Sequence, residues 1–187
     1  LWMLVNLYAT LFDLPDDFDP ETESRWDYPS TDVGGSYLMH IAADGSTIAS
    51  LDLSDTNNED NEDGMSGNLS SFAVDAAGNL YVSDYNNIYV LDAEGNVQFK
   101  LDGSQYNGSL CRLNAQQVGV MWYNYTDDVN AADENGQYFV PIDLETKDWG
   151  EKVKLPSNVG SILPGDDAYD FYYTYNNNIY GYAAKTD

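Results

Sequence analysis

Histidine and cysteine are almost missing from this 187-residue chain, which has one of each, His40 and Cys111. A single cysteine excludes an intramolecular disulfide framework, and its place in an apolar run makes Cys111 a buried thiol by default. A single histidine leaves any His-based zinc site or Ser-His-Asp triad resting on His40 alone. His40 alternates with Met39 and Ile41 in a strand-like run with no motif around it, so a structural role is expected. Cations are also scarce, with 7 Lys and Arg against 32 Asp and Glu and a formal charge of -25. That balance excludes a grip on nucleic acid or on an anionic membrane surface, both of which need clustered Lys and Arg. No apolar run reaches the ~18 residues of a membrane span, so no membrane insertion is expected of this chain. The opening LWMLVNLYATLF has strand content without a charged n-region or a small-residue cleavage site, which reads as a mature, trimmed or partial chain. G-x-S-x-G, P-loop, G-x-G-x-x-G and C-x-x-C patterns are all lacking, which removes the common nucleophile, nucleotide and redox signatures.

What the chain does contain is repetition. Leu69 to Asp102 reads LSSFAVDAAGNLYVSDYNNIYVLDAEGNVQFKLD, four short apolar-alternating runs parted by Gly, Asn and Asp turns. This is one four-stranded antiparallel unit. Three copies of a single turn recur at Ala43–Ile48, Asp75–Leu80 and Asp92–Val97, where Gly supplies a positive φ and Asp or Asn side chains bond the turn backbone. Asn86-Asn87-Ile88-Tyr89-Val90 is echoed at Asn177-Asn178-Ile179-Tyr180-Gly181. The implied period of about 45 to 50 residues is that of a propeller blade. Asp outnumbers Glu about three to one, so much of the acidity is turn chemistry on a solvated surface. A halophilic surface is the alternative account of the charge, while sixteen Tyr and abundant Asn suit an extracellular β-protein.

The expected fold is therefore all-β, a β-propeller domain or propeller segment over residues 1–187. Its four blade units cover approximately 1–54, 69–102, 109–155 and 160–187, with loop insertions at 13–35 and 55–68. The first unit is expected to lack its innermost strand and the last its outermost. Such ragged ends fit either a closed four-bladed ring or a segment of a six- to eight-bladed one, in which case the rest of the propeller is a partner, with another all-β arrangement such as a sandwich as the remaining alternative. Pro15, Pro20 and Pro29 forbid a long strand in the first insertion, where acidic residues flank Arg25 and Trp26.

The second insertion, DTNNEDNEDGMSGN, is the best candidate for a cation site because Ca²⁺ takes six to eight hard oxygens. Glu59, Asn61 and Asp63 before Gly64 loosely match the front half of a calcium loop, although Ser70 stands where its bidentate Glu belongs. The other reading of this segment is a solvated loop with no cofactor. Asp127, Asp128 and Asp133 form one further carboxylate cluster, and Asp166, Asp167 and Asp170 another. Both read as turn residues, since glycoside hydrolysis needs a carboxylate pair at a defined separation that spacing alone does not give. Aromatic residues crowd the second half, and exposed Tyr and Trp beside Asp and Asn are the makings of a carbohydrate- or protein-binding surface. The candidate ligand-binding residues are Trp26, Trp122, Tyr123, Tyr173 and Tyr175, with cross-strand packing as the structural alternative.

The unit FAVDAAGNLYVSDYNNIYVLDAEGNVQFKL resembles the blades of NHL-like and related six- to eight-bladed propellers, with D-x-x-G-N-L-Y-V-x-D opening two strands and I-x-V-x-D-x-x-G-x-V the next two. The resemblance covers about one blade closely. It implies a secreted or cell-surface bacterial protein, and it is specific for fold rather than function. Two functions follow as expectations: a non-catalytic extracellular binding or scaffold propeller with a protein or carbohydrate ligand, or a Ca²⁺-dependent propeller hydrolase or lyase using carboxylates.

Overall fold

The computed structural model describes residues 1–53, 69–84, 86–128, 132–166 and 168–183. Among the described residues its strands form four antiparallel sheets, in each of which paired strands are consecutive in the chain, except that the short strand Val153–Lys154 pairs with Gly136–Asp143. The chain divides into two compact units, Leu1–Asn68 and Leu69–Asp187.

The first unit holds one sheet of β1 (Trp2–Phe12), β2 (Ser30–Ile41) and β3 (Thr47–Asp52). β1 and β2 pair without interruption from Trp2 opposite His40 to Phe12 opposite Ser30. The strand therefore starts at Ser30, and residues 30–35 belong to β2 rather than to the 13–35 insertion expected from the prolines. Pro29 restricts its own position and the one before it, not the residues after it. Its carbonyl instead accepts the Asp13 N–H at 2.9 Å and closes the loop, after which Thr31 and Val33 suit a strand. The His40 ring stacks on Trp2 with centroids 4.5 Å apart, a cross-strand packing role.

The second unit contains three sheets. The first comprises β4 (Ser71–Val74), β5 (Leu80–Ser83), β6 (Asn87–Leu91) and β7 (Val97–Asp102). The second comprises β8 (Ser109–Arg112), β9 (Val118–Asn124), β10 (Gly136–Asp143) and β11 (Asp148–Trp149), with β12 (Val153–Lys154) also on β10. The third comprises β13 (Ile162–Pro164), β14 (Phe171–Tyr175) and β15 (Asn178–Tyr182).

Alternation decides what each sheet buries. In β5 and β6 one face presents Tyr81, Ile88 and Val90 and the other Leu80, Val82, Tyr89 and Leu91, all at most 2% exposed. Side chains on both faces of this sheet are buried. Its first face meets Leu110, Val118, Val120, Val140 and Ile142 of the second sheet in one core. The opposite face of the second sheet, through Phe139, meets Ile162 and Phe171 of the third in another. Each Val, Leu or Phe buried in these cores contributes about 1.5–3 kcal/mol. The first strands of successive sheets lie side by side, β4 next to β8 and β8 next to β13. Backbone bonds join the same strand ends, from Ala76 N–H to the Ala115 carbonyl at 2.9 Å and from Gly165 N–H to the Leu113 carbonyl at 3.1 Å.

The turns are closed by aspartates. Asp75 Oδ1 accepts the N–H groups of Ala77 and Asn79, while its Oδ2 accepts the Asn79 side-chain amide and the Tyr81 hydroxyl at 3.1 Å. Asp92 repeats this with Glu94, Asn96 and Gln98. Asp84 takes the N–H groups of Asn86 and Asn87 and the hydroxyl of Tyr89. Gly45, Gly78 and Gly95 have φ of 85°, 92° and 90°, the positive values that the three copies of the turn require. Burial, helped by the Asp75 carboxylate, holds the Tyr81 phenol well above its ordinary pKa, so it stays a hydrogen-bond donor.

Asp75 is only 7% exposed, and Asp75→Ala leaves two turn N–H groups, an amide and a buried hydroxyl without their acceptor. A loss of about 3 kcal/mol is expected, roughly 10 °C in Tm. Asp92→Ala, at the open copy of the same turn, costs less, and parallel thermal melts of the two variants check the order. Acid titration tests the turns together. Hydrogen bonds hold the carboxyls of Asp44, Asp92, Asp102, Asp143 and Asp166 below their usual range, led respectively by the Ser46 hydroxyl, the Asn96 amide, the Ser104 hydroxyl, the Thr146 N–H and the Tyr172 hydroxyl. A folded-state pKa below the unfolded one contributes stability that is complete above the unfolded value of about 4 and lost as pH falls through the folded value. Tm followed by circular dichroism is therefore expected to be level above about pH 5 and to fall steadily below about pH 4.

Candidate functional site

Among the five aromatic residues expected to bind ligand, the strand period separates Trp122 from Tyr123. Trp122 pairs with Tyr138 across β9 and β10 and joins Tyr106 in an edge-to-face contact at 5.1 Å, packed against the core. The Lys152 ammonium lies over its ring at 5.4 Å. Trp122 is thus half-buried and engaged in packing. Tyr123 points to the other face, opposite Gln137, and is 60% exposed.

Tyr173 and Tyr175 stand on one face of β14. A ladder of rings runs outward from the buried Phe171, stacked on Tyr182 at 4.6 Å, to Tyr173 on Tyr180 at 5.5 Å and Tyr175 beside Tyr180 at 6.2 Å. Tyr173 is half-buried against the core, whereas Tyr175 and Tyr180 are 37% and 41% exposed at the open end. On the other face the Tyr169 ring lies against Gly181, where a Cβ would come within 2.5 Å of it. That contact explains why the Asn-Asn-Ile-Tyr echo ends in Gly181 where its first copy has Val90.

Two open hollows meet at Asn158. One, of about 360 Å³, is lined by Tyr123, Asn135, Gly136, Gln137 and Ser157. The other, of about 960 Å³, lies along Gly160, Thr174 and Tyr175 and under the turn Asn176-Asn177-Asn178. Their floor is fixed by side-chain clamps. Gln137 accepts the Val159 N–H at 2.6 Å and donates to the Val159 carbonyl at 2.8 Å, and Asn135 makes the same double contact with Thr126 at 2.7 and 3.1 Å. The Ser161 N–H and hydroxyl both meet the Thr174 hydroxyl at 2.9 Å.

Asn158, Asn176 and Asn177 occupy the left-handed region, with φ of 63°, 47° and 60°. Asn tolerates that region, and here it sets three side-chain amides on the two turns bordering the hollows. None of the three stands among the candidate residues read from the sequence. The available signal was the pair of Asn-bearing turns, Ser157-Asn158 and Asn176-Asn177-Asn178, close to tyrosines in an otherwise acidic chain.

The remaining candidates lie elsewhere. Trp26, in the first unit, is 68% exposed, with the Arg25 guanidinium 5.3 Å from its ring and Phe12 edge-on at 4.9 Å. Asp166 is a turn acceptor for Ala168, Tyr169 and the Tyr172 hydroxyl, and Asp127 accepts the Tyr125 hydroxyl at 2.6 Å. Glu59, Asn61 and Asp63 lie outside the described residues, as does Asp167. Among the described residues no three His, Cys, Asp or Glu side chains are grouped so as to hold a metal ion. A hollow of about 500 Å³ on the first unit runs beside Tyr8, Gly34 and Asp32, whose carboxylate is bound by the Thr10 hydroxyl at 2.7 Å.

Burial pushes the Cys111 thiol up to about 12, which leaves almost no thiolate at neutral pH. A thiol reagent at pH 8 is expected to leave Cys111 unmodified in the folded protein and to label it on denaturation, a contrast read by mass spectrometry. Labelling at the rate of a free thiol would contradict this environment. No family model matches the chain, and comparison with curated proteins and with solved structures gave no match either.

Proposed function

We propose that this chain is a non-catalytic binding or scaffold module of propeller type, acting outside the bacterial cell, which holds a carbohydrate or protein ligand at the cleft joining Tyr123, Asn158 and Tyr175. The cleft carries the reading. Exposed tyrosine rings stand beside side-chain amides on a floor held by reciprocal hydrogen bonds, so the surface is ordered before a ligand arrives.

The propeller part rests on the second unit. Its three meander sheets follow one another face to face, with their first strands adjacent, as blades do around an axis. The last sheet has three described strands, β13, β14 and β15, in the same meander order. Placement outside the cell draws on the resemblance of the Leu69–Asp102 repeat to secreted and surface propellers, together with a tyrosine-rich composition.

The test is to screen the protein against a glycan array and a displayed peptide library, then repeat each positive with Tyr123→Ala and Tyr175→Ala. Both rings are exposed, so the variants are expected to melt with the parent while losing about tenfold or more in affinity. Mass spectrometry of the recovered ligand completes it. An unaltered ligand is expected, and a cleaved one would replace this proposal with a hydrolase or lyase.

A further inference from the structure

We infer that the ligand of this cleft is a neutral oligosaccharide long enough to span both hollows, a conclusion that rests on the binding-module reading above. The two hollows are lined without a single Asp, Glu, Lys or Arg, in a chain that carries 32 acidic residues and a net charge of -25. The nearest cation to Gly136, Lys154, has its ammonium bound to the Asp133 carbonyl at 2.6 Å. An anionic ligand would meet the repulsion of the whole chain with Lys154, at the edge of one hollow, as the one nearby cation among the described residues to offset it, and a cationic one would find its attraction elsewhere on the surface.

What the cleft offers instead is matched to hydroxyl groups. Among the described residues, the side-chain amides of Asn158, Asn176 and Asn177 have no hydrogen-bond partner within the chain, and each can donate and accept at once. Vicinal sugar hydroxyls need that pairing. The Tyr123 and Tyr175 rings give the complementary apolar surface on which a pyranose can lie, each with a hydroxyl at its tip. One ring lies in each hollow, and Asn158 is shared between them, so a single sugar would occupy only part of the site.

Titration calorimetry with the full chain decides the matter. The probes are neutral gluco-, manno-, xylo- and galacto-oligosaccharides of increasing length, beside oligogalacturonate and chitosan oligomers as the anionic and cationic counterparts. At least one neutral series is expected to bind, more tightly as it lengthens, and with an affinity unchanged between about 50 and about 500 mM salt because no charge is neutralised. Tyr175→Ala and Tyr123→Ala should each weaken that binding about tenfold or more, whereas Tyr175→Phe should keep most of it. Asn158→Asp retains a residue that tolerates left-handed backbone but adds charge, and should also weaken it. Asn177→Ala serves as a second turn variant if Asn158→Asp lowers the melt.

Failure of every neutral series at about 10 mM would overturn the inference, since even a Kd of that order carries about 3 kcal/mol of binding. Preference for oligogalacturonate or chitosan would overturn it too, as would neutral binding indifferent to both tyrosines. If the sugars fail while a library peptide binds in a Tyr175-dependent way, the oligosaccharide is wrong and the binding module stands. If neither class binds, both fall.

Discussion

Folding the second unit requires the chain to reverse direction repeatedly within a few residues, and each reversal leaves backbone N–H groups that no strand can satisfy. At five of these reversals an aspartate at the end of the incoming strand takes them, and at the β8–β9 turn Asn114 does so for Gln116 and Gln117. At Asp75, Asp84, Asp92, Asp143 and Asp166 one carboxylate oxygen accepts two turn N–H groups. At Asp75, Asp84 and Asp166 the second oxygen reaches forward to a tyrosine hydroxyl on the next strand. A single side chain thereby closes the turn and sets the following strand in register. The tyrosine is not free to slide, because a shift of one residue would move it to the opposite face and strand both the carboxylate and the hydroxyl.

The same interaction accounts for two features of composition that otherwise look unrelated. A chain with 32 acidic and 7 basic residues cannot neutralise its carboxylates with salt bridges, and much of this one does not try. It uses them as acceptors for neutral donors, which need no counter-ion and do not weaken in salt as ion pairs do. The tyrosines share this role, since a phenol kept protonated by burial beside a carboxylate, as Tyr81 is, is a dependable donor. Acidity and tyrosine content are two halves of one device, so neither by itself indicates a halophilic surface or a ligand.

The turns were the most legible part of the sequence. Gly45, Gly78 and Gly95 with their flanking Asp and Asn residues mark hairpins without any tertiary information, because the positive φ and the side-chain acceptors are local requirements. The start of β2 was less legible, since three prolines dominate the segment before it and Thr31 and Val33 are too short a pattern to outweigh them. Alternation separates Trp122 from Tyr123, but which of them faces the core depends on Tyr106 and Tyr138, which no local pattern connects to Trp122. The cleft was the hardest to foresee. Gln137 and Val159 clamp its floor from positions with no shared motif, and Asn158 gains meaning only where two hollows meet.

The distribution of charge gives these observations a common cause. Aspartates gather where strands turn because turn N–H groups need acceptors, and the two turns bordering the cleft are built differently. At Asn158, Asn176 and Asn177 left-handed backbone makes the turn, with Asn in place of the Asp-Gly pairing used in the repeated hairpins. An amide adopts that backbone as readily as a carboxylate does, and leaves the site neutral. With the Asn side chains not consumed in closing their own turns, their donors and acceptors face outward beside the tyrosines. The substitution of Asn-made turns for Asp-made ones is thus the local change by which an acidic scaffold acquires an uncharged, hydrogen-bonding surface.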